Sequence, residues 1–250
     1  MKPIFLLFTL CPLLSAFAQK DATWLRDKGT LIFHDAFERE EDGIRAKAIG
    51  SGWNSATADR VPHIKMADLD EGILKIASAS KEAKHAAHIH HEAGFADGGA
   101  VIRFRFAGLN KAATLQLGFV DRETTTGVHA GHLCYGILSQ SSITLTDQKT
   151  GIMNLENRKR RDDAVARNEK VPADLEALLK TKNISVPYKA DTKWHELVLA
   201  TEGDEMRLSI DGKLLAKHRS EGFAHPMKRW FSFLVNNTVW IDDVKIWKVK

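Results

Sequence analysis

Residues 194–218 read WHELVLATEGDEMRLSIDGKLLAKH, and this stretch decides the fold class. Between Met206 and Ile210 every second side chain is apolar, which predicts a β-strand with one buried face. Asp211-Gly212 follows directly, and an Asp-Gly pair between two such runs is typical of a tight hairpin. The stretch therefore predicts three consecutive antiparallel strands.

The same signature, short strands between turn residues, recurs along most of the chain. Ile102, Phe104 and Phe106, for example, alternate with Arg103 and Arg105. Many short strands without helices between them are typical of a two-sheet antiparallel sandwich. The predicted strands are Leu31–Phe37, Gly72–Ala77, Ala86–Glu92, Ala100–Ala107, Ala113–Asp121, His132–Leu138, Ser142–Thr146, Trp194–Ala200, Met206–Ile210, Lys213–His218, Arg229–Val235 and Val239–Trp247.

One segment departs from this pattern. Residues 151–188 are polar and charge-dense, and within them Pro172 is suited to the first turn of a helix. Leu175, Leu178 and Leu179 then form a short apolar stripe with helical spacing. We therefore expect an all-β, two-sheet antiparallel sandwich with a partly helical insertion at about these residues.

The composition is that of an ordinary soluble protein. The chain has 250 residues, of which 44% are hydrophobic and 27% charged, so a disordered chain and a polytopic membrane protein are both excluded. Lys and Arg together number 36 against 32 Asp and Glu, which leaves a net charge of only +4. A nucleic-acid binder usually has a larger, clustered excess, so no nucleic-acid partner is expected. We expect a single domain and a monomer.

The first residues predict a secretory signal peptide over residues 1–18. Lys2 supplies a positive start, residues 4–14 are apolar, and residues 16–18 read Ala-Phe-Ala, a cleavage site that cuts before Gln19. The apolar run is too short for a membrane span of about 20 residues. The expected location of the mature protein is therefore secreted or periplasmic.

Cleavage would leave two parts of unequal size. Residues 19–30 form a polar lead-in, and residues 31–250 form the sandwich domain. Cleavage also removes Cys11, so Cys134 is left without a partner and no intramolecular disulfide is expected. A single core can stabilise a domain of this length without such a staple.

Several short motifs occur in an order that carries a family resemblance. They are HDAFER at residues 34–39, Gly-Trp at residues 52–53, WHEL at residues 194–197, IDG at residues 210–212 and VWIDDVKIW at residues 239–247. In this order they resemble secreted bacterial concanavalin A-like jelly rolls. They are most similar to laminin-G-like modules and to 3-keto-disaccharide hydrolase domains.

The resemblance covers about residues 31–249 and implies a carbohydrate ligand on a concave sheet face, in some members with acid and base residues on it. The motifs mark strands and a hairpin and specify no reaction. The laminarinase-type signature of this fold, Glu-x-Asp-x-x-Glu, is absent, because Glu202-Gly203-Asp204 is followed by Arg207 at the third position. Retaining hydrolysis by that carboxylate set is therefore disfavoured.

A histidine-rich run at residues 85–92, HAAHIHHE, is the densest unusual feature. On a strand, His88, His90 and Glu92 share one face. Histidine titrates near neutral pH and serves as general acid, general base or metal ligand. Three interpretations stay open: hydrogen-bonding surface histidines, a polar row facing a glycan, and a metal or catalytic site. His132, between later strands, is interpreted as a packing residue.

Arg103 and Arg105 share one face of a strand whose other face is apolar. They either pair with carboxylates on a solvated face or bind a carboxylated or sulfated sugar through their guanidinium forks. If the histidine row lies beside them, a polysaccharide lyase is conceivable. Arg would then neutralise the uronate carboxylate, His90 would take the C5 proton, and Tyr135 would protonate the leaving oxygen. Only Tyr135 and Tyr188 can supply that phenol.

A second constellation consists of carboxylates near both ends of the domain. If the first and last strands are neighbours, Asp35, Glu38, Asp242 and Asp243 converge at one edge of the sandwich. Calcium prefers several oxygen ligands, and the resemblance implies that a structural Ca²⁺ recurs in such jelly rolls. The alternative is four exposed carboxylates in turns.

Three functions follow from these expectations. The first is a secreted carbohydrate-recognising protein that binds a polysaccharide, most simply an acidic one, because positive charge concentrates at Arg103, Arg105 and residues 158–161. The second is a carbohydrate-active enzyme, either a 3-keto-disaccharide hydrolase-like glycosidase or a lyase. The third is a structural envelope protein, which would need no groove. The first two differ in whether a groove holds a convergent acid and base with perturbed pKa values.

Overall fold

Two antiparallel sheets carry most of the chain in the computed structural model, which describes residues 20–41, 49–55, 57, 59–77, 80–124 and 126–250. The predicted signal peptide lies outside these residues. The strands are β1 (Thr30–Asp35), β2 (Ala67–Asp70), β3 (Ile73–Ile76), β4 (Ala87–Phe95), β5 (Gly98–Phe106), β6 (Thr114–Val120), β7 (His132–Ser139), β8 (Ser142–Asp147), β9 (Asn183–Pro187), β10 (His195–Glu202), β11 (Glu205–Ile210), β12 (Lys213–Arg219), β13 (Lys228–Val235) and β14 (Val239–Lys248). The helices are α1 (Lys20–Lys28), α2 (Leu155–Ala166) and α3 (Ala173–Thr181), with short 3₁₀ turns at His129–Gly131 and Glu221–Phe223.

The strands of the described chain form an eight-stranded and a six-stranded sheet. The larger has the order β12-β11-β10-β5-β14-β3-β2, with β1 paired to β14, and the smaller has the order β4-β13-β6-β7-β8-β9. Every pairing is antiparallel. The expected two-sheet antiparallel sandwich is confirmed, and the first strand pairs with the last.

The core lies between the sheets and follows the period-2 alternation of the strands. From the six-stranded sheet, Phe119, Phe231 and Phe233 are fully buried, and the rings of Phe231 and Phe233 meet edge to face with centroids 4.9 Å apart. From the eight-stranded sheet, Phe104 and Phe106 point into the same core. Because successive side chains on a strand point to opposite faces, the residues between these aromatics face away from the core.

The hairpin that decides the fold class forms as the sequence indicates. β11 and β12 pair around Asp211-Gly212, whose φ angles are 50° and 73°. Positive φ at both central residues is the requirement of the tight turn that suits the twist of a hairpin.

The insertion at residues 151–188 contains α2, α3 and a short strand, β9. The Asn154 side chain caps α2 by accepting hydrogen bonds from the backbone N–H groups of Glu156 and Asn157, and Pro172 precedes the first turn of α3. The partly helical insertion is therefore confirmed. The sequence pattern does not predict β9, an edge strand of only five residues that ends at Pro187.

The polar lead-in is an ordered helix. Leu25 of α1 is fully buried against Val101 and Val198 on the outer face of the eight-stranded sheet. The Trp24 ring lies under the Arg207 guanidinium, 4.9 Å from ring centroid to Cζ. One apolar anchor in a polar segment is too weak a pattern to predict this docking. No helix of the described chain is long and apolar enough to cross a membrane.

A matched pair of leucine truncations tests this account of the core. Leu117 is fully buried in β6, whereas Leu214 on the edge strand β12 is 41% exposed. Leu117→Ala is expected to lower the free energy of unfolding by about 2–5 kcal/mol because it leaves a cavity. Leu214→Ala should change it by less than about 1 kcal/mol. Urea unfolding measures both, and equal losses in the two variants would contradict the assignment of the core.

Candidate functional site

The face of the six-stranded sheet that points away from the core carries a row of polar side chains. His90, Ser232, Gly118, Tyr135 and Thr146 are directly opposite one another across β4, β13, β6, β7 and β8. All four side chains in this row are buried, so loops and not solvent cover this face. The predicted strand alternation of the histidine row is thereby confirmed, and it brings His90 and Tyr135 onto one face.

Gly118 creates the room that this row requires. A Cβ atom at this position would collide with the Tyr135 ring and with the backbone carbonyl of Cys134. The Tyr135 ring therefore lies across β6 where a side chain is missing.

A cavity of about 320 Å³ lies over this face. Its polar lining consists of two guanidinium and three imidazole side chains, with Val120 and Ala130 between them. The five polar residues are Arg60, His85, His88, Arg122 and His132. We call this space the histidine cavity. The lining residues come from four chain segments, which are the loop before β2, the start of β4, the loop after β6, and β7.

Residues 53–55, together with Thr57, close one side of the site by hydrogen bonding to the edge of β4. Asn54 and His90 exchange two backbone hydrogen bonds, of 2.8 and 2.9 Å. The Thr57 hydroxyl accepts a hydrogen bond from the His88 backbone N–H at 3.0 Å and donates to the carbonyl of Ala86. These bonds hold the loop that carries Arg60 against the histidine strand.

His88 and His90 are held in their neutral forms. Burial, followed by the charges of His90 and His132, lowers the pKa of His88 to about 3. Burial and the Arg122 guanidinium, whose Nη2 lies 3.5 Å from Nδ1 of His90, lower the pKa of His90 to about 4. Nε2 of His88 is buried and has no hydrogen-bond partner among the described residues, although its ring lines the cavity. An orphaned polar atom of this kind is costly unless a ligand or water satisfies it.

His132 and Tyr135 form a hydrogen-bonded pair behind the cavity wall. Nδ1 of His132 lies 2.5 Å from the Tyr135 hydroxyl oxygen. Burial, followed by the charges of His129 and His85, lowers the pKa of His132 to about 4. Burial raises the pKa of Tyr135, so both groups are neutral near pH 7. His132 is therefore more than the packing residue that its sequence context indicates.

Arg122 is held in place by an ion-pair network one residue away. The buried Asp121 carboxylate accepts hydrogen bonds from Nε2 of His225 and from Nε of Arg229, each at 3.0 Å. Burial raises the pKa of Asp121, but these bonds and that from the Glu123 backbone N–H hold it below its ordinary value. The anchored turn projects Arg122 over β4. In the sequence, Arg122 directly follows a strand, and this position predicts a turn residue but no role at a site.

Glu92, predicted to share the face of His88 and His90, lies beside a second cavity. This space of about 330 Å³ is lined by Glu92, Glu123, Arg229 and Trp230, together with the small residues Ala93 and Gly94. We call it the glutamate cavity.

Arg103 and Arg105 do not lie beside the histidine row, and the arrangement conceived for a lyase with these two guanidiniums is wrong. They are on β5 in the other sheet, on its outer face. Arg103 forms an ion pair with Asp242 and lies 4.8 Å from the Trp194 ring centroid. Arg105 lies 3.9 Å from the Trp240 ring centroid. The pattern of a single strand cannot say which sheet the strand joins.

The four carboxylates predicted to bind calcium do not fit such a site. Asp35 accepts a bidentate ion pair from Arg39 and a hydrogen bond from the Trp53 indole. The other three carboxylates have separate surroundings. Asp242 forms an ion pair with Arg103, and Asp243 forms ion pairs with His34 and Lys245. Glu38 lies against Gly72. Among the described residues, no group of three or more His, Cys, Asp or Glu side chains is arranged to hold a metal ion.

Comparison with known proteins bears on the fold. No protein-family model and no curated sequence matches the chain. Among solved structures, a laminarinase from Rhodothermus marinus is similar with a TM-score of 0.58 and 12% identity, over 88% of this chain and 97% of the other. A laminarinase from Flavobacterium sp. UMI-01 is similar with a TM-score of 0.54 and 13% identity, over 88% of this chain and 100% of the other. The catalytic domain of the Thermotoga maritima laminarinase has a TM-score of 0.52 and 14% identity, over 88% of this chain and 98% of the other. The fold is thus the concanavalin A-like jelly-roll sandwich that the motifs resemble.

The lowered histidine pKa values predict how stability depends on pH. The pKa of His88 falls from 6.5 in an unfolded chain to about 3 in the folded protein, so the unfolded chain binds more protons between these limits. The free energy of unfolding is therefore expected to fall as the pH drops from about 7 to about 4.5.

A histidine pair isolates this effect. His88→Gln should make the free energy of unfolding fall less steeply as the pH drops. His63→Gln, at a largely exposed histidine, should leave this pH dependence unchanged. Urea unfolding at several pH values measures the slope. An identical slope in the parent protein and His88→Gln would contradict a neutral, desolvated His88.

Proposed function

We propose that this protein binds an acidic carbohydrate in the histidine cavity. The observation that carries the proposal is the convergence of Arg60 and Arg122 on one cavity with three imidazoles, of which those of His88 and His132 are held neutral. Among the described residues, no carboxylate forms an ion pair with either guanidinium, and none lines the cavity. Arg60 and Arg122 are solvent-exposed residues without a carboxylate partner in the described part of the chain, and beside the buried imidazole of His88 they favour an anionic ligand.

The chemistry of the lining suits a sugar that carries a carboxylate or a sulfate. A guanidinium presents a planar fork that matches such groups with two hydrogen bonds. A neutral imidazole both donates and accepts a hydrogen bond, as a sugar hydroxyl does. The jelly-roll fold shared with laminarinases supports a carbohydrate ligand by analogy. The predicted signal peptide is consistent with a secreted or periplasmic protein that meets such polymers outside the cytoplasm. A purely structural envelope role would need no such cavity.

An arginine pair tests the binding proposal. Arg122→Gln should weaken the binding of an acidic oligosaccharide at least about tenfold, since it removes a charge-assisted contact. Arg103→Gln removes the same charge from the other sheet and should leave the affinity unchanged. Isothermal titration calorimetry with oligouronates and sulfated oligosaccharides measures both. Equal weakening by the two variants would indicate a non-specific charge effect and contradict the proposal.

A second candidate function, eliminative cleavage of a uronate polymer, is favoured by the His132–Tyr135 pair. His132 lines the cavity, is neutral, and has its Nδ1 atom fixed by Tyr135. If Nδ1 donates to the phenol oxygen, Nε2 is free to take the C5 proton of a uronate. Arg122 would stabilise the carboxylate as charge develops. The C4–O bond would then break, the leaving oxygen would take back the proton held on Nε2 of His132, and a C4=C5 double bond would form.

Turnover distinguishes this enzyme from a binding protein. The unsaturated product absorbs ultraviolet light, so its release from acidic polysaccharides can be followed directly. Tyr135→Phe should lower the rate at least about tenfold while oligosaccharide affinity stays near that of the parent, because the phenol orients the base behind the cavity wall. Binding without any absorbance change over a panel of acidic polysaccharides would contradict the lyase and leave the binding function.

A further inference from the structure

The glutamate cavity adjoins the histidine cavity along the same sheet face. Both are lined from β4, with His88 in one and Glu92 in the other, four residues apart on the same side of the strand. At the rise of a β-strand this separation is about 13 Å. The two cavities are of nearly equal size, about 320 and 330 Å³.

Three side chains form the boundary between the cavities. Arg122 lines the histidine cavity and lies with its Cζ 5.6 Å from the ring centroid of Trp230, which lines the glutamate cavity. The His90 ring meets Trp230 edge to face, with centroids 5.1 Å apart. A ligand that leaves one cavity past Arg122 therefore reaches the other at the Trp230 indole.

The two cavities carry opposite charge. In the glutamate cavity the Arg229 guanidinium is already paired, with Asp121 at 3.0 Å and with Glu123 at 2.5 Å. Among the described residues no cation forms an ion pair with Glu92, so this cavity has an excess of negative charge. In the described part of the chain, the histidine cavity has two guanidiniums without an ion-pair partner and no lining carboxylate.

We infer that the ligand spans both cavities with an acidic sugar unit in the histidine cavity and a unit without acidic groups in the glutamate cavity. The inference rests on the proposed function and specifies its substrate class: a polymer in which acidic units alternate with neutral or amino sugars. A second acidic unit would meet the carboxylates of Glu92 and Glu123, and like charges at short range repel. Carboxylates instead accept hydrogen bonds from sugar hydroxyl or amide groups, and the Trp230 indole offers an apolar surface to the C–H face of a pyranose.

Size-matched tetrasaccharides test the inference by calorimetry. One probe is a homo-oligouronate and the other alternates uronate with N-acetylhexosamine, and a single free uronate serves as the one-unit reference. We expect the alternating probe to bind at least about tenfold more tightly than the homo-oligouronate. The Glu92→Gln, Glu123→Gln double variant should narrow this difference by strengthening homo-oligouronate binding, and affinity for the free uronate should stay the same.

Two further variants complete the design. Trp230→Ala should weaken binding of the alternating tetrasaccharide by a larger factor than binding of the free uronate, and circular dichroism checks that this variant is folded. Glu176→Gln on α3 removes another exposed carboxylate, which pairs with Lys180 in the described part of the chain, and should change none of these affinities. If the homo-oligouronate binds as tightly as the alternating probe, and the double variant changes neither, the inference is overturned while the proposed function stands. If no acidic sugar of any length binds, the proposed function itself fails.

Discussion

Desolvation of the outer face of the six-stranded sheet is the constraint on which the site depends. A sheet face that points away from the core is normally exposed to solvent, and histidines on such a face titrate near neutral pH. Here residues 53–55, Thr57 and the turn after β6 cover that face, so His88 and His90 are almost completely buried. Burial disfavours the imidazolium form, which leaves uncharged donors and acceptors beside two guanidiniums. The charge of the cavity therefore comes from arginine, and its hydrogen-bonding versatility from histidine.

The same covering loops connect stability to recognition. Asp121 fixes the turn that carries Arg122, and it does so by pairing with Arg229, a wall residue of the glutamate cavity. One buried carboxylate thus positions a cation for one cavity and neutralises a cation in the other. This arrangement accounts for the opposite charge of two spaces that share a wall at Arg122 and Trp230. It also explains why a guanidinium remains unpaired where a ligand can reach it.

Local patterns in the sequence predict the strands, the Asp211-Gly212 hairpin and the shared face of His88, His90 and Glu92, because alternation and turn chemistry are properties of neighbouring residues. Cross-strand register is not such a property. The row that joins His90 to Tyr135 passes through β13 and β6, and only the folded sheet shows it. The sheet that a strand joins is not a local property either. The residue type of Arg103 suggested a ligand contact, but its strand belongs to the other sheet.

The central claim is that the histidine cavity holds an acidic sugar, and a crystal structure with a bound acidic oligosaccharide tests it most directly. The account predicts electron density for the ligand in this cavity, with its carboxylate or sulfate between Arg60 and Arg122 and a hydroxyl within hydrogen-bond distance of His88 Nε2. Ligand density on the outer face of the eight-stranded sheet, at Arg103 and Trp194, with none in the histidine cavity, would contradict it.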